Sequence, residues 1–456
     1  MILITNYIFI ISAVIIFSGI VNALRLHISV RHLGKQHTAL QRAQIHESDS
    51  WPNIIILIPA LREGETIRQV LQFFSHLRYP RTKLKIVVVT TEREFESAFN
   101  SKKNTVSIAE EKINELNTAS QDKLFYHIHY PNRHGVKADQ LNYAIEQLQI
   151  LLPNYFNDQT YIGVYDADSI TPDNTLEILA KDATINGYPN IYQQPTFYFN
   201  NYKTSPLNLN GLLSKSFSWL QSAFALYHEA NMFIAQFGDK KRLMRMEYCV
   251  GHGMFVRWPL LKRVGLFPTP IEDTRLGHIA SYIGEKIKIL PVFDSVAVTT
   301  GIKSQIKQSS VWFTGEAFVI EDLKIAKRIL PDLSSRQIWL AIYKIYRNIV
   351  WITRAFLLFA FIIMLVITHN YILACLTGFL YLYLPLLIMY LDMPSIQTLT
   401  AKGRQKFYRN IFQTIGIVLV VPIEFLIMSI GPALGLFNFL AYRIMKRNLY
   451  LPKTKR

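Results

Sequence analysis

A layered α/β domain with a mostly parallel sheet, set between N-terminal and C-terminal transmembrane helices, is the fold class that the sequence predicts. Three observations predict it: residues 1–24 carry no charge, residues 45–300 alternate short apolar runs with amphipathic stretches, and long uncharged runs return after residue 345. With 456 residues, 50% of them hydrophobic, the chain is neither disordered nor collagen-like. At about 150 residues per domain, it has room for about three units. Lys and Arg number 49 against 32 Asp and Glu, a net charge of +17. Much of that excess flanks apolar runs, since Asp392 and Glu424 are the only acids in residues 341–456. Basic residues beside spans set topology and meet anionic headgroups, which argues for a membrane protein and against a nucleic-acid partner. Cys249 and Cys375, the only two cysteines, make no disulfide framework.

Residues 1–24 suffice for a span of about 20 apolar residues. They contain no basic n-region, and Arg25, Arg31, Lys35 and Arg42 follow. They therefore read as an uncleaved anchor with its N-terminus outside, rather than a cleaved signal peptide. Residues 45–300 form the expected cytoplasmic domain. Within it, residues 54–59, 86–89 and 161–165 are buried-strand runs, each ending in polar residues. Ligands of open α/β sheets sit outside the carboxyl ends of the strands, so three such ends predict one shared crevice. Residues 301–345 read as interfacial amphipathic helices.

Residues 346–445 are the expected C-terminal transmembrane region. Runs 349–368 and 371–390, separated by His369-Asn370, predict a helical hairpin, and a third run, 411–442, is interrupted by Pro422, Glu424 and Gly431-Pro432. Lys402, Arg404, Lys406 and Arg409 place the intervening loop, and with it the large domain, in the cytoplasm. A straight last span would put the basic tail 446–456 outside. A helix that breaks and re-enters at Gly431-Pro432 keeps that tail cytoplasmic and is the expected form. Glu424, an acid within an apolar run, is a candidate polar lining residue.

Asp166-Ala167-Asp168 directly follows a strand run, and two carboxylates one residue apart can share a hard dication that bridges a diphosphate. The same residues also fit a turn ahead of a helix at Thr171-Pro172-Asp173. Glu272-Asp273 opens a helical stretch, where acids favour the N-terminus, or where a carboxylate facing the crevice deprotonates an acceptor hydroxyl. Lys137, just ahead of another helix, is either a phosphate contact or an exposed surface lysine. Trp312 is either an interfacial anchor or the apolar face of a sugar site.

In their order along the chain these pieces resemble the membrane-bound family-2 glycosyltransferases, the group that contains cellulose, chitin, hyaluronan and poly-N-acetylglucosamine synthases. The likeness runs from Pro59-Ala60 and Glu63 through Lys137, Asp166-Ala167-Asp168, Gly251-His252 and Glu272-Asp273 to Gln308 and Trp312. It implies a GT-A nucleotide-sugar-binding fold at the cytoplasmic face of an inner (plasma) membrane. A sugar, with UDP-sugar as the expected donor, is transferred with inversion to a polysaccharide or a lipid-linked acceptor. Pro59, Ala60, Glu63, Glu92, Lys137 and Asp166 are then donor-binding. Asp166 and Asp168 hold Mg²⁺ or Mn²⁺, Asp273 with Glu272 is catalytic, and Gly251, His252, Gln308 and Trp312 face the acceptor.

The chain departs from the family twice. Thr90-Thr91 follows the second strand run where the family has an acid, leaving Glu92 as the nearest one. Val311 stands where the family places an Arg before the Trp, with Lys307 as a substitute. These departures keep a second class open, a non-catalytic membrane subunit of a polysaccharide synthase complex. A transporter would need more spans or inverted repeats.

Overall fold

The computed structural model describes residues 2–44, 51–95, 104–118, 123–238, 246–332, 334–401 and 411–445. Helix α1 (Ile2–Arg42) leads to strand β1 (Ile54–Pro59) and helix α2 (Gly64–Phe74). β2 (Leu84–Thr91), α3 (Thr105–Thr118), β3 (Phe125–Tyr130), α4 (Lys137–Leu151), β4 (Tyr161–Val164) and α5 (Thr175–Asn186) follow. After β5 (Ile191–Gln193) and β6 (Thr196–Phe197), α6 (Leu209–Phe224) passes through a π-helical turn (Ala225–Ala230) into α7 (Asn231–Gly238). β7 (Met254–Arg257), α8 (Trp258–Arg263), α9 (Glu272–Ile283), β8 (Ile287–Ile289) and β9 (Asp294–Ser295) complete the α/β part. The remainder is helical: α10 (Ile302–Glu316), α11 (Val319–Ile329), α12 (Ser335–Ile367), α13 (Tyr371–Gly378), a π turn (Phe379–Tyr383), α14 (Leu384–Thr398) and α15 (Ile411–Met445).

Seven strands form one sheet in the order β3-β2-β1-β4-β7-β5-β8, with β7 antiparallel to both neighbours and every other pair parallel. The mostly parallel α/β class is as expected. β1 explains why the sheet is covered on both faces. Residues 54–58 are all fully buried. Ile55 and Leu57 enter a core with Leu141 and Leu148 of α4 and Leu26, Val30 and Leu33 of α1. Ile54, Ile56 and Ile58 enter the opposite core with Val70 and Phe74 of α2 and Leu176 and Leu179 of α5. Alternating side chains of one apolar run thus feed two layers, the pattern of a sheet sandwiched by helices.

Four helices are long and apolar enough to cross a membrane: residues Asn6–Arg42, Ser335–Ile367, Tyr371–Thr398 and Gln413–Met445. α1 continues beyond Leu24 as one helix to Arg42, and its second half docks on the sheet layer. His27 Nδ1 lies 2.9 Å from Asp392 Oδ2, tying that half to α14. The expected hairpin turn falls at Thr368, His369 and Asn370, with His369 at a φ of 57°. α10, expected at the interface, is largely buried, its Gln308, Ser309, Ser310 and Phe313 all inside the protein. The basic loop 402–410 and the tail 446–456 lie outside the described residues.

The break expected at Gly431-Pro432 is not there, because α15 runs as one helix through Pro422 and Pro432. The reason is packing. A Cβ on Gly431 would lie 2.5 Å from Ser309 Cβ, and one on Gly435 would lie 2.6 Å from the Ser310 carbonyl oxygen, so the two glycines let α15 close on α10. Small residues four apart are the usual means of such approach between membrane helices, where proline is tolerated because neighbours compensate the freed backbone groups. α15 is accordingly the innermost span: 56% of its most apolar window is buried, against 22% for α1 and 17% for α12.

Candidate active site

One groove of about 1670 Å³ opens at the carboxyl ends of β1 and β4. It is lined by Pro59, Ala60, Glu63, Lys137, Asp166, Asp168, Gly251, His252, Glu272, Asp273, Gln308 and Trp312. β1 ends at Pro59, and Ala60 N donates to the Val89 carbonyl (2.9 Å), which fixes where the loop leaves the sheet. Glu94 shapes that loop from below. Its carboxylate accepts from Arg62 N at 2.7 Å and Thr105 N at 2.9 Å, and Thr105 Oγ1 accepts from Glu63 N at 2.9 Å.

The centre of the groove is an acid cluster around one ammonium. Lys137, the first residue of α4, donates from Nζ to Asp166 Oδ1 (3.0 Å), Glu272 Oε1 (2.9 Å) and the Gly251 carbonyl (2.7 Å). Burial pulls the Lys137 ammonium down, but Asp166, Glu272 and Asp273 together outweigh it and hold the lysine charged, above its ordinary range. Asp273 is pushed up to about 6 by burial and by Glu272, with Lys137 and the Thr274 amide opposing the rise. Asp273 Oδ1 accepts from Thr274 N at 2.6 Å, so the acid serves the N-terminus of α9 while still facing the groove. The pair thus opens α9 and lines the groove at once.

Asp166 and Asp168 likewise form a turn, with Ser169 N donating to the Asp166 carbonyl (3.0 Å), and still face the groove. Asp168 Oδ2 accepts from Ala297 N at 3.2 Å. Among the described residues no third His, Cys, Asp or Glu joins them as a metal-binding group. Two carboxylates suit a dication that completes its shell with phosphate oxygens and water, the usual habit of Mg²⁺. His252 is buried, with Nδ1 2.7 Å from Asp294 Oδ2, and the same oxygen accepts from Ser169 Oγ at 3.0 Å. Burial raises Asp294 despite His252 and Ser169. At the far wall, Gln308 Oε1 accepts from Thr299 Oγ1 (3.2 Å) and Trp312 stacks on Phe217, with ring centroids 6.3 Å apart.

Glu92 does not line the groove. It faces His129 Nε2 at 3.2 Å and Arg133 Nε at 3.7 Å, whereas Arg93 and Glu94 reach the groove. β2 continues through Thr91, and the 3₁₀ turn after it (Glu92–Phe95) rotates successive side chains to different sides. Lys307 is not among the lining residues either, and Glu424 is fully buried elsewhere. Residues without a local motif complete the groove: Glu229 on the π turn, Tyr248, and Lys344, Arg347 and Arg354 of α12. Tyr248 donates to Glu229 Oε1 at 2.8 Å, and burial pushes Glu229 up to about 7 in spite of that bond.

No protein-family model matches the chain, and no curated protein matches it. Among solved structures it is similar to a mannosyltransferase from Pyrobaculum calidifontis in complex with GDP-Man and Mn²⁺, at 14% identity over 93% of this chain and 99% of that one, with a TM-score of 0.46. It is also similar to S. aureus TarS, residues 1–349 in complex with UDP-GlcNAc, at 13% identity over 61% of this chain and 71% of that one, with a TM-score of 0.36. Overlaps of this extent carry no ligand or residue role to this chain.

Proposed function

We propose that the chain is a membrane-embedded, inverting glycosyltransferase of the GT-A type. It moves a sugar from a nucleoside-diphosphate sugar, with UDP-sugar as the expected donor, to a polysaccharide or lipid-linked acceptor at the cytoplasmic face. One observation carries the reading: in one groove at the strand ends, Lys137 Nζ bridges Asp166 (3.0 Å) and Glu272 (2.9 Å), and Asp273 lines the same groove. A cation for a diphosphate and a base near working pH are what in-line transfer to a hydroxyl needs.

Pro59, Ala60 and Glu63 hold base and ribose, and Lys137 puts its charge where the leaving diphosphate becomes more negative. Mg²⁺ or Mn²⁺ on Asp166 and Asp168 would supply further neutralisation of that diphosphate. Asp273 accepts the proton of the acceptor hydroxyl as its oxygen bonds to the anomeric carbon. The bond from that carbon to the diphosphate breaks on the opposite side, and the electron pair leaves with the nucleotide. Glu272, nearly fully buried, keeps Lys137 in place. Gln308 and Trp312 border the acceptor.

The test is nucleoside-diphosphate release by the purified full chain, with Mg²⁺ or Mn²⁺, across a panel of sugar nucleotides and with membrane lipid extract as acceptor. Metal-dependent release supports the reading. If no donor turns over and none binds by calorimetry, the chain is better read as a non-catalytic subunit.

Two further results are expected. Asp273 accepts a proton only as the carboxylate, so activity should fall as pH drops through about 6. The kcat/KM profile, which reports the free enzyme, checks this; a profile that stays flat over about one pH unit either side of that value would separate Asp273 from the chemistry. Gly251 is needed for close approach, since a Cβ there would lie 2.7 Å from Asp273 Oδ2, 3.1 Å from Lys137 Nζ and 3.2 Å from Glu272 Oε1. Gly251→Ala should therefore cost about 10²-fold in turnover through displaced groups, with about 1–3 kcal/mol of stability lost. Turnover and a melting curve on the same preparation read the two effects.

A further inference from the structure

The groove does not end at the acid cluster. Tyr248 and Glu229 line it as well, and so do residues of the long apolar helices: Asn22 and Arg25 of α1, Arg347 and Arg354 of α12, and Tyr381 of the π turn. A volume of about 1670 Å³ exceeds the about 300–1,000 Å³ of an ordinary small-molecule pocket, leaving room for a second ligand beside a donor.

Charge is distributed unevenly around these residues. The acids there are already engaged, Glu229 by the Tyr248 hydroxyl and Glu316 by Lys344. Arg347 has Nη2 3.4 Å from His228 Nε2, and the Arg354 guanidinium lies 5.7 Å from the Phe224 ring centroid and 5.2 Å from that of Phe425. Arg354 Nε is buried without a hydrogen-bond partner among the described residues. Arg347 and Arg354 stand seven residues apart, hence on one face of α12 and about 10 Å apart along it. Arg354 also hydrogen-bonds Tyr227, and both guanidinium groups are half-buried with no ion pair to a carboxylate among the described residues, which favours an anion that they can bind by paired N–H groups. Walls made of membrane helices give a lipid tail somewhere to lie.

Resting on the transferase reading above, we propose that Arg347 and Arg354 seat a phosphate group carried on a lipid, so that the acceptor enters from the bilayer with its phosphate on α12 and its hydroxyl toward Asp273. The phosphate is a handle here, and the nucleophile is the hydroxyl that meets Asp273.

The probe is a radiolabelled polyisoprenyl phosphate in phosphatidylcholine nanodiscs holding the full chain, compared with the polyisoprenol of the same tail. Wild type is expected to retain the phosphate about tenfold better than the alcohol. The Arg347→Gln, Arg354→Gln double variant should bring that ratio near one, while Arg347→Lys, Arg354→Lys, which keeps charge but not the fork, falls between. Equal retention of phosphate and alcohol by wild type, or an unchanged ratio in the glutamine variant, overturns the proposal. Displacement by inorganic phosphate at equal concentration also overturns it, in favour of a free-phosphate site. Donor binding, measured separately on wild type by calorimetry, tests the transferase reading; its absence alongside a normal lipid ratio would sink that reading alone.

Discussion

Asp273→Asn is expected to lower kcat by about 10²–10⁴-fold, the usual worth of proton removal by a positioned carboxylate, with donor affinity nearly unchanged. The amide keeps the shape of the side chain and can still accept from Thr274 N, as Asp273 does now at 2.6 Å. The start of α9 should therefore survive. What is lost is the ability to take a proton, needed only as the acceptor oxygen attacks, so kcat and kcat/KM should fall together. Steady-state kinetics with calorimetric donor binding distinguish this from damage to the site, which would weaken binding as well. Wild-type turnover in the variant would remove Asp273 from the mechanism.

Lys137→Met is expected to weaken donor binding by about 10–100-fold, the equivalent of a charge-assisted hydrogen bond worth about 1.5–3 kcal/mol. It carries a second signature. Lys137 is the charge that draws Asp273 down against burial and Glu272, so without it the Asp273 carboxyl should titrate above its present value of about 6. The acid limb of the residual activity should move to higher pH. A surface lysine that merely happened to face a donor would weaken binding without moving that limb, so the two readouts together separate the roles. Melting curves are needed beside them, because the variant also leaves Asp166 and Glu272 without their shared cation.

Legibility followed distance along the chain. Asp166, Asp168, Glu272 and Asp273 stood out in the sequence because each lies where a strand run or loop gives way to a helix, and the groove collects them. The same residues make a turn and a helix N-terminus, since a short carboxylate can accept a local amide and still present an edge to the groove. Glu92 is the acid nearest the end of the apolar run, but strand length decides which side chain faces the crevice. β2 extends two residues beyond the apolar run, and the groove receives Glu94 instead. Gly431-Pro432 reads as a breaker by rules suited to exposed chain, whereas α15 is enclosed by α6, α10 and α12, and close packing sustains the helix. Glu229, Arg347 and Arg354 carry no local signal, because only the folded chain brings them beside their partners Tyr248, His228 and Phe224.

The seam between α15 and α10 ties the bilayer to the groove in a mechanical sense. α10 presents Gln308 and Trp312 to the groove on one side and meets Gly431 and Gly435 on the other, with no side chain on either glycine to act as a cushion. Lateral pressure on the innermost span is therefore delivered to the groove wall through direct backbone contact. On the transferase reading, bilayer thickness and detergent choice become variables of the reaction.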